Sequence, residues 1–266
     1  MTQRSVAVGA TVRAGLSDLG AAIKACWAAL VLATVLAAVS RLLPPAAALL
    51  APVLQLVALS LAAGALYRRR FERASGLKGL RWGREEWHLM AAQLLCAAFL
   101  FVVLSVLALV VAAVTLGVAR MSLPGFDALS PAGWQDALAA SGVAGFVVGL
   151  VPLLSLAIIV WLAARLSLAG AATVDLAGIR VLSSFPLTRG LAAPILASGF
   201  LLALPVILLG AGLRFAGGTD HGGLEPVVAI CSAAAVYFYL APVWTGALVH
   251  IYRQRRPTDA SQTLDA

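Results

Sequence analysis

The stretch of sequence that decides the fold is strongly basic and runs from residue 67 to residue 88: Tyr67-Arg68-Arg69-Arg70-Phe71-Glu72-Arg73-Ala74-Ser75-Gly76-Leu77-Lys78-Gly79-Leu80-Arg81-Trp82-Gly83-Arg84-Glu85-Glu86-Trp87-His88. We refer to it as the basic loop. Long apolar runs flank it on both sides, and each run is long enough to cross the hydrocarbon core of a bilayer. Because short loops rich in Lys and Arg stay on the cytoplasmic side of a membrane, the basic loop fixes the predicted orientation of the other segments.

The composition excludes an ordinary soluble domain. Of the 266 residues, 62% are hydrophobic and only 11% are charged, whereas soluble domains carry about 25% charged residues. The net charge of +8 does not indicate nucleic-acid binding, because the basic residues cluster at the ends of apolar runs, where they orient and anchor membrane helices. The three cysteines lie inside apolar runs without a CxxC neighbour, which is typical of packing residues.

The apolar runs predict an all-α, polytopic membrane helix bundle with six transmembrane helices. The predicted spans cover approximately residues 22–41, 44–67, 89–118, 142–164, 191–213 and 226–250. Residues 1–21 have apolar side chains three or four apart, which predicts an amphipathic helix lying in the membrane interface. Residues 251–266 form the predicted cytoplasmic tail. The sequence Ser130-Pro131 predicts an N-cap and the first residue of a short helix in the loop after the third span.

The distribution of basic residues supports six spans with both termini in the cytoplasm. Sixteen Lys and Arg residues fall on the predicted inner side, and three, namely Arg41, Arg120 and Arg214, fall on the outer side. An odd number of spans would place a basic cluster on the wrong face. The predicted location is therefore the bacterial cytoplasmic membrane.

Two sets of residues are candidate contact sites, one for lipid headgroups and one for another helix. The basic loop supplies candidate contacts to anionic lipid headgroups, namely Arg68, Arg69, Arg70, Arg73, Lys78, Arg81 and Arg84. Orientation and anchoring alone is the simpler interpretation of the same charges. Gly145 and Gly149, four residues apart, predict a close approach of another helix, either within the chain or in a dimer.

Polar residues near the spans are expected to stabilise the bundle. Gln55 and Gln93 are predicted to hydrogen-bond to neighbouring helices. Asp175 is predicted to pair with Arg165 or Arg180, because an unpaired carboxylate beside the membrane is costly.

No residue pattern predicts catalysis, a cofactor or a metal. Glu85 and His88 share a helix face, but two ligands fall short of a zinc set, and acidic residues in a first helical turn also complement the helix dipole. Asp220, His221 and Glu225 lie in a short Gly-rich loop without fixed geometry. The six spans contain no Asp, Glu, His or Arg at mid-depth, where coupled transporters usually place ionisable groups.

Several short motifs resemble a known family. They are Trp161–Ala169 with Arg165-Leu166, Ser184–Gly190 with Thr188-Arg189-Gly190, Leu80-Arg81-Trp82-Gly83-Arg84, and Tyr252-Arg253. Together they resemble the six-helix membrane proteins related to the membrane domain of glycerophosphodiester phosphodiesterases. In those enzymes a separate soluble barrel performs the chemistry, and we expect no such domain here. The resemblance therefore implies a membrane protein without the enzyme's activity.

The function predicted from these observations is that of a non-enzymatic, multi-pass membrane protein. We expect it to act in lipid or envelope homeostasis through a protein partner or as a homo-oligomer. It is expected to contact the lipid bilayer and not to bind nucleic acid. The alternative is a passive or substrate-binding permease for a small solute or lipid, with kinks at Pro152, Pro205 and Pro242 opening a cavity.

Overall fold

The structure is a computed structural model that describes residues 7–73, 77–123, 125–128, 130–182, 184–216 and 225–255. Its regular structure is helical, with helices α1 Val8–Ser17, α2 Leu19–Arg41, α3 Leu50–Arg70, α4 Arg84–Ser122, α5 Pro131–Ala140, α6 Val143–Leu166, α7 Ala169–Asp175, α8 Ser184–Leu187, α9 Ala192–Ala216, α10 Glu225–Ala234 and α11 Ala241–Arg255. A short 3-10 turn, Pro45–Ala47, precedes α3, and a π-helical turn, Ala235–Leu240, joins α10 to α11. The prediction of an all-α fold is confirmed.

Among the residues that the structure describes, six helical segments are long and apolar enough to cross a membrane, and each overlaps one predicted span. They are Leu19–Arg41, Leu50–Arg70, Arg84–Ser122, Val143–Asp175, Ala192–Leu213 and Glu225–Arg255. The third is longer than predicted: its 39 residues extend about 58 Å at 1.5 Å per residue, well beyond a hydrocarbon core of about 30 Å. The extra length is divided between the two ends: α4 begins at Arg84, inside the basic loop, and ends at Ser122.

The chain divides into two compact units, one of residues 1–95 and 164–266 and one of residues 96–163. In the first unit, small side chains let α2 and α3 approach closely, as is common between membrane helices. The buried residues at this contact include Ala29, Ala33 and Ala37 from α2 and Ala58, Ala62 and Ala65 from α3.

Two glutamines join helices of the first unit, as predicted. Gln55 Nε2 on α3 donates to Ser40 Oγ on α2 at 2.6 Å. Gln93 Oε1 on α4 accepts from Ser60 Oγ on α3 at 2.8 Å. These bonds satisfy polar atoms that have no water partner at that depth in a bilayer.

The N-terminal helix α1 packs on α11 through two small residues and through part of the predicted apolar stripe, whose members are Val8, Val12, Leu16, Leu19 and Ile23. Val12 packs against a cluster that includes Val243 and Ala247 of α11. Thr11 and Gly15 are the buried residues of α1, and a Cβ added at Gly15 would lie 2.6 Å from the Val243 carbonyl oxygen. Leu16, a member of the predicted stripe, is exposed instead. The contact selects small residues because the two helix backbones approach closely. Residues 1–6 of the predicted helix lie outside the described residues.

The π-helical turn Ala235–Leu240 lies directly before Pro242. Proline lacks an N–H donor, and its ring clashes with the carbonyl four residues earlier, here that of Phe238. A wider helical turn moves that carbonyl away, which accounts for the π geometry.

The second unit, residues 96–163, contains the end of α4, all of α5 and most of α6. The predicted N-cap of α5 is confirmed, because Ser130 Oγ accepts a hydrogen bond from the Gly133 amide at 3.3 Å. An apolar groove of about 670 Å³ lies in this unit and is lined by residues that include Leu104, Val111, Thr115, Trp134, Pro152 and Leu156. At Gly149 no described atom of another helix in this unit lies within 4 Å of an added Cβ, so the predicted close helix approach is not seen among the described residues of the second unit.

Candidate functional site

A buried ion pair joins the two ends of the basic loop. Arg68 at the end of α3 and Glu86 in the first turn of α4 form a salt bridge, with side chains 0% and 1% exposed. Arg68 Nη2 also donates to the Gly79 carbonyl at 3.0 Å, and Glu86 Oε2 accepts from the Gly83 amide at 2.8 Å. The second contact is the carboxylate half of a capping box, which explains why α4 begins at residue 84.

Two glycines make space for this pair. A Cβ added at Gly64 would lie 2.5 Å from Glu86 Oε1, so α3 presents no side chain at this point. Gly79 has a φ of +84°, and an added Cβ there would lie 2.9 Å from the Cys26 Cα. The basic loop therefore rests directly on the backbone of α2, with the Gly79 carbonyl turned toward Arg68.

Arg69 and Arg70 face the turn between α1 and α2. Both form salt bridges with Asp18, and the Asp18–Arg70 distance is 3.0 Å. The hydrogen bond from Arg69 holds the pKa of Asp18 below its ordinary value, and the charge of Arg70 adds to the effect. These contacts tie α1 to the end of α3.

We expect Asp18→Asn to lower the free energy of unfolding at pH 7 by about 1–2 kcal/mol, the range for hydrogen bonds to charged groups at a partly exposed site. The lowered pKa means that the carboxylate stabilises the folded state above about pH 4 and stops doing so as pH falls through its folded-state pKa. The difference between native protein and Asp18→Asn should therefore shrink below about pH 4. Thermal unfolding in detergent at pH 7 and pH 3 measures it. Asp136→Asn, at an exposed carboxylate on α5, serves as the control.

Arg73 and Asp175 join the basic loop to the end of α7. Arg73 Nη1 donates to Glu85 Oε1, and Arg73 Nη2 donates to the Asp175 carbonyl oxygen, both at 2.9 Å. Asp175 Oδ2 accepts from Tyr252 Oη at 2.8 Å. The sequence does not predict Tyr252 as a partner of Asp175, and the pairing of Asp175 with Arg165 or Arg180 stays a prediction.

The outer face of the basic loop combines cations with exposed indole rings. Lys78 Nζ lies 5.1 Å from the ring centroid of Trp27 on α2. Trp82 and Trp87 pack edge to face with centroids 5.6 Å apart, and both remain exposed. Arg81 and Arg84 are exposed on either side of Trp82. Basic and Trp side chains together are typical of the headgroup level of a membrane.

A polar cavity of about 180 Å³ opens beside this face. It is lined by Arg73, Arg81, Gly83, Arg84, Glu85, Glu86, His88 and Ala177. The Arg81 Nε lies 3.6 Å from the position that a Cβ would take at Gly83, so this guanidinium lies across the start of α4. The lining therefore comes from the basic loop, the first turn of α4 and the segment after α7.

The seven predicted headgroup contacts fall into three groups. Arg68 is fully buried, which corrects its prediction, because a side chain paired with Glu86 inside the protein does not face lipid. Arg69, Arg70 and Arg73 are partly buried in ion pairs. Lys78, Arg81 and Arg84 are exposed. Four basic residues of the loop therefore join parts of the fold, and the other three are accessible to a ligand or a lipid surface.

The sequence predicts no metal site at Glu85 and His88, and the two acidic side chains of this segment face arginines. Glu85 pairs with Arg73 and Glu86 with Arg68. Among the residues that the structure describes, no group of three or more His, Cys, Asp and Glu side chains could hold a metal ion. Asp220 and His221 lie outside the described residues.

Two of the motifs behind the family resemblance, those containing Arg165 and Thr188, contact each other at α8. Arg165 Nη2 donates to the Phe185 carbonyl oxygen at 2.9 Å, and Thr188 Oγ1 donates to the Arg165 carbonyl oxygen at 3.2 Å. Arg253 donates to the carbonyl oxygen of Arg70 and lies over the Phe71 ring. These contacts give the short motifs a role in joining helix ends.

An all-helical chain with six segments long and apolar enough to cross a bilayer indicates a multi-pass membrane protein. Its polar contacts collect around the basic loop. Comparison with protein-family models, curated proteins and solved structures gives no match for this chain. The similarity to the membrane domain of glycerophosphodiester phosphodiesterases therefore stays a prediction.

Proposed function

We propose that this chain is a non-enzymatic component of the bacterial cytoplasmic membrane that contacts anionic lipid headgroups through the basic loop. It crosses the bilayer six times with both termini in the cytoplasm, and it acts in lipid or envelope homeostasis through a protein partner. The observation that carries the proposal is the exposed face of Lys78, Arg81 and Arg84 beside the Trp82–Trp87 pair. Each Lys or Arg near an anionic surface contributes about 1 kcal/mol to lipid attraction.

The non-enzymatic role is supported by where the acidic residues lie. Glu85 and Glu86 are the densest acidic pair of the basic loop, and each faces an arginine. A general base needs a carboxylate aimed at a substrate, whereas these two join elements of the fold.

The lipid contact is tested by replacing Lys78, Arg81 and Arg84 together by glutamine. We expect the preference for anionic over zwitterionic lipid around the protein to fall by about 3 kcal/mol in total. Spin-labelled lipids in reconstituted vesicles measure that preference. Arg120→Gln, at an exposed arginine near the other end of α4, is the matched control. An unchanged preference in the triple variant would contradict the proposal.

The orientation is tested separately by labelling single cysteines in intact cells. In a chain with Cys26, Cys96 and Cys231 replaced by serine, we expect Lys78→Cys to react with a membrane-impermeant reagent only after the cells are opened. Asp127→Cys, in the loop before α5, should react from outside. The opposite pattern would reverse the proposed orientation.

The second candidate function is a permease for an apolar solute or lipid, favoured by the groove beside Pro152. Its lining is mostly aliphatic, and Thr115 and Ser155 donate to carbonyls of their own helices at 2.7 Å and 2.9 Å. A polar solute would therefore find few partners there. The test is flux of a lipid analogue into vesicles that contain only this protein. A flux that falls with Leu156→Trp, in the groove, and not with Leu153→Trp, outside the groove lining, would favour this function over the first.

A further inference from the structure

We propose that the polar cavity beside the basic loop is a binding site for a phosphomonoester group, such as the headgroup of phosphatidic acid. This inference rests on the proposed lipid contact and names the chemical class that the site selects. Its cavity of about 180 Å³ is smaller than the 300–1,000 Å³ typical of pockets for whole ligands. The cavity therefore suits a compact charged group, and the rest of the ligand molecule lies outside the cavity.

The charges around the cavity leave an excess of positive charge. Three arginines, Arg73, Arg81 and Arg84, and two carboxylates, Glu85 and Glu86, line the cavity. Arg68 is outside the lining and is counted with them because it pairs with Glu86. Each carboxylate already forms a salt bridge with Arg73 or Arg68. The formal balance is +2 with His88 neutral, which matches the charge of about −1.5 to −2 on a phosphomonoester at pH 7. A phosphodiester carries a single negative charge and leaves part of this excess unmatched.

The geometry supplies donors that are partly fixed before the ligand arrives. Arg73 is held by Glu85 and by the Asp175 carbonyl, both at 2.9 Å, so its charge stays at the back of the cavity. Arg81 lies across Gly83, and Arg84 is the first residue of α4. Guanidinium groups bind phosphate oxygens with two parallel hydrogen bonds. Two exposed guanidiniums in front of a fixed one therefore suit a group with three terminal oxygens.

The cavity also lies where a lipid headgroup would approach. The exposed Trp82 and Trp87 are sequence neighbours of the lining residues Arg81, Gly83, Glu86 and His88. Indole rings favour the interface between acyl chains and water. A lipid bound here would place its phosphate among the arginines and its chains outside the loop.

The experiment titrates the full chain in detergent with phosphatidic acid and with phosphatidylglycerol and counts bound lipids by native mass spectrometry. We expect phosphatidic acid to bind at least tenfold more tightly. Arg81→Gln and Arg84→Gln should each remove most of that ratio. Lys78→Gln, which lies outside the cavity, should weaken both lipids by about fivefold and leave the ratio unchanged.

The outcomes separate this inference from the proposed function. Equal weakening of both lipids by all three variants would overturn the phosphomonoester site while leaving a general anionic contact. Loss of any anionic preference in the native protein would overturn both. Inorganic phosphate, titrated by calorimetry, shows whether the ligand is a lipid or a soluble phosphomonoester. If phosphate competes with phosphatidic acid but binds only with millimolar affinity, the site takes a lipid. If phosphate binds as tightly as phosphatidic acid, the site takes a soluble phosphomonoester. Unchanged melting temperatures confirm that the variants are folded.

Discussion

Replacing Arg68 by methionine is expected to lower the free energy of unfolding by about 3–5 kcal/mol, because it leaves the Glu86 carboxylate buried without its partner. The Arg68 and Glu86 side chains are almost completely excluded from solvent, so water cannot take the place of the lost guanidinium. Glu86→Met should cost a similar amount for the converse reason. Thermal unfolding in detergent should show a midpoint lower by about 10 °C or more.

The double variant Arg68→Met/Glu86→Met distinguishes a buried pair from two independent contributions. Apolar residues of similar volume often replace a buried ion pair at little cost, so the double variant should recover most of the stability lost by either single one. The hydrogen bonds to Gly79 and Gly83 are also lost, and each contributes about 1 kcal/mol. Additive losses in the double variant would refute direct coupling.

Arg84→Met is the matched control for this series. It removes the same type of side chain from the same loop, but Arg84 is exposed. Exposed substitutions usually change stability by less than about 0.5 kcal/mol. A loss at Arg84 equal to that at Arg68 would show that net loop charge, and not the buried pair, sets the stability.

The helices could be predicted from the sequence because their signals are local. Long apolar runs mark the six membrane-length segments, and Ser130-Pro131 marks the start of α5. Glu86 also has a local signal in the sequence, since an acidic residue three positions after Gly83 can complete a capping box. The number of spans and their orientation rest on charge asymmetry, which no contact in the structure tests.

The separate roles of three consecutive arginines could not be predicted from charge. Arg68 faces Glu86, whereas Arg69 and Arg70 face Asp18. Successive residues on a helix point about 100° apart, so the rotation of α3 decides which arginine is buried. That rotation follows its small-residue contact with α2. Arg68 continues the buried positions Ala58, Leu61 and Ala65 at spacings of three and four, which is the one signal that could have identified it.

The partners of Asp175 lacked any such signal. Its Oδ2 accepts from Tyr252, 77 positions later in the chain, and no periodicity links α7 to α11. The same holds for the polar cavity, whose lining combines the basic loop with Ala177. Contacts of this kind depend on how helices pack in three dimensions, and no local pattern in the sequence reveals that packing.

Replacing Gly79 by alanine is expected to lower the free energy of unfolding by about 2–5 kcal/mol, from two sources that a second variant separates. A left-handed backbone costs a residue with a Cβ about 1–2 kcal/mol, and Gly79 has a φ of +84°. The added Cβ would also press on the Cys26 backbone at 2.9 Å, and overpacking typically costs 1–3 kcal/mol. Gly125 has nearly the same φ, +83°, but no described atom lies within 4 Å of an added Cβ.

Gly125→Ala should therefore show the backbone cost alone, and the difference between the two variants measures how firmly the basic loop rests on α2. Because the Gly79 carbonyl accepts from Arg68, displacing this glycine also weakens the buried pair. Gly79→Ala should consequently cost less in the Arg68→Met background than in the native chain, since the two positions share one contact. Thermal unfolding of the native protein, Gly79→Ala, Arg68→Met and the double variant in one detergent measures this coupling. Equal losses for Gly79→Ala and Gly125→Ala would mean that the loop does not press on α2, and that Arg68 holds it without support from the helix beneath.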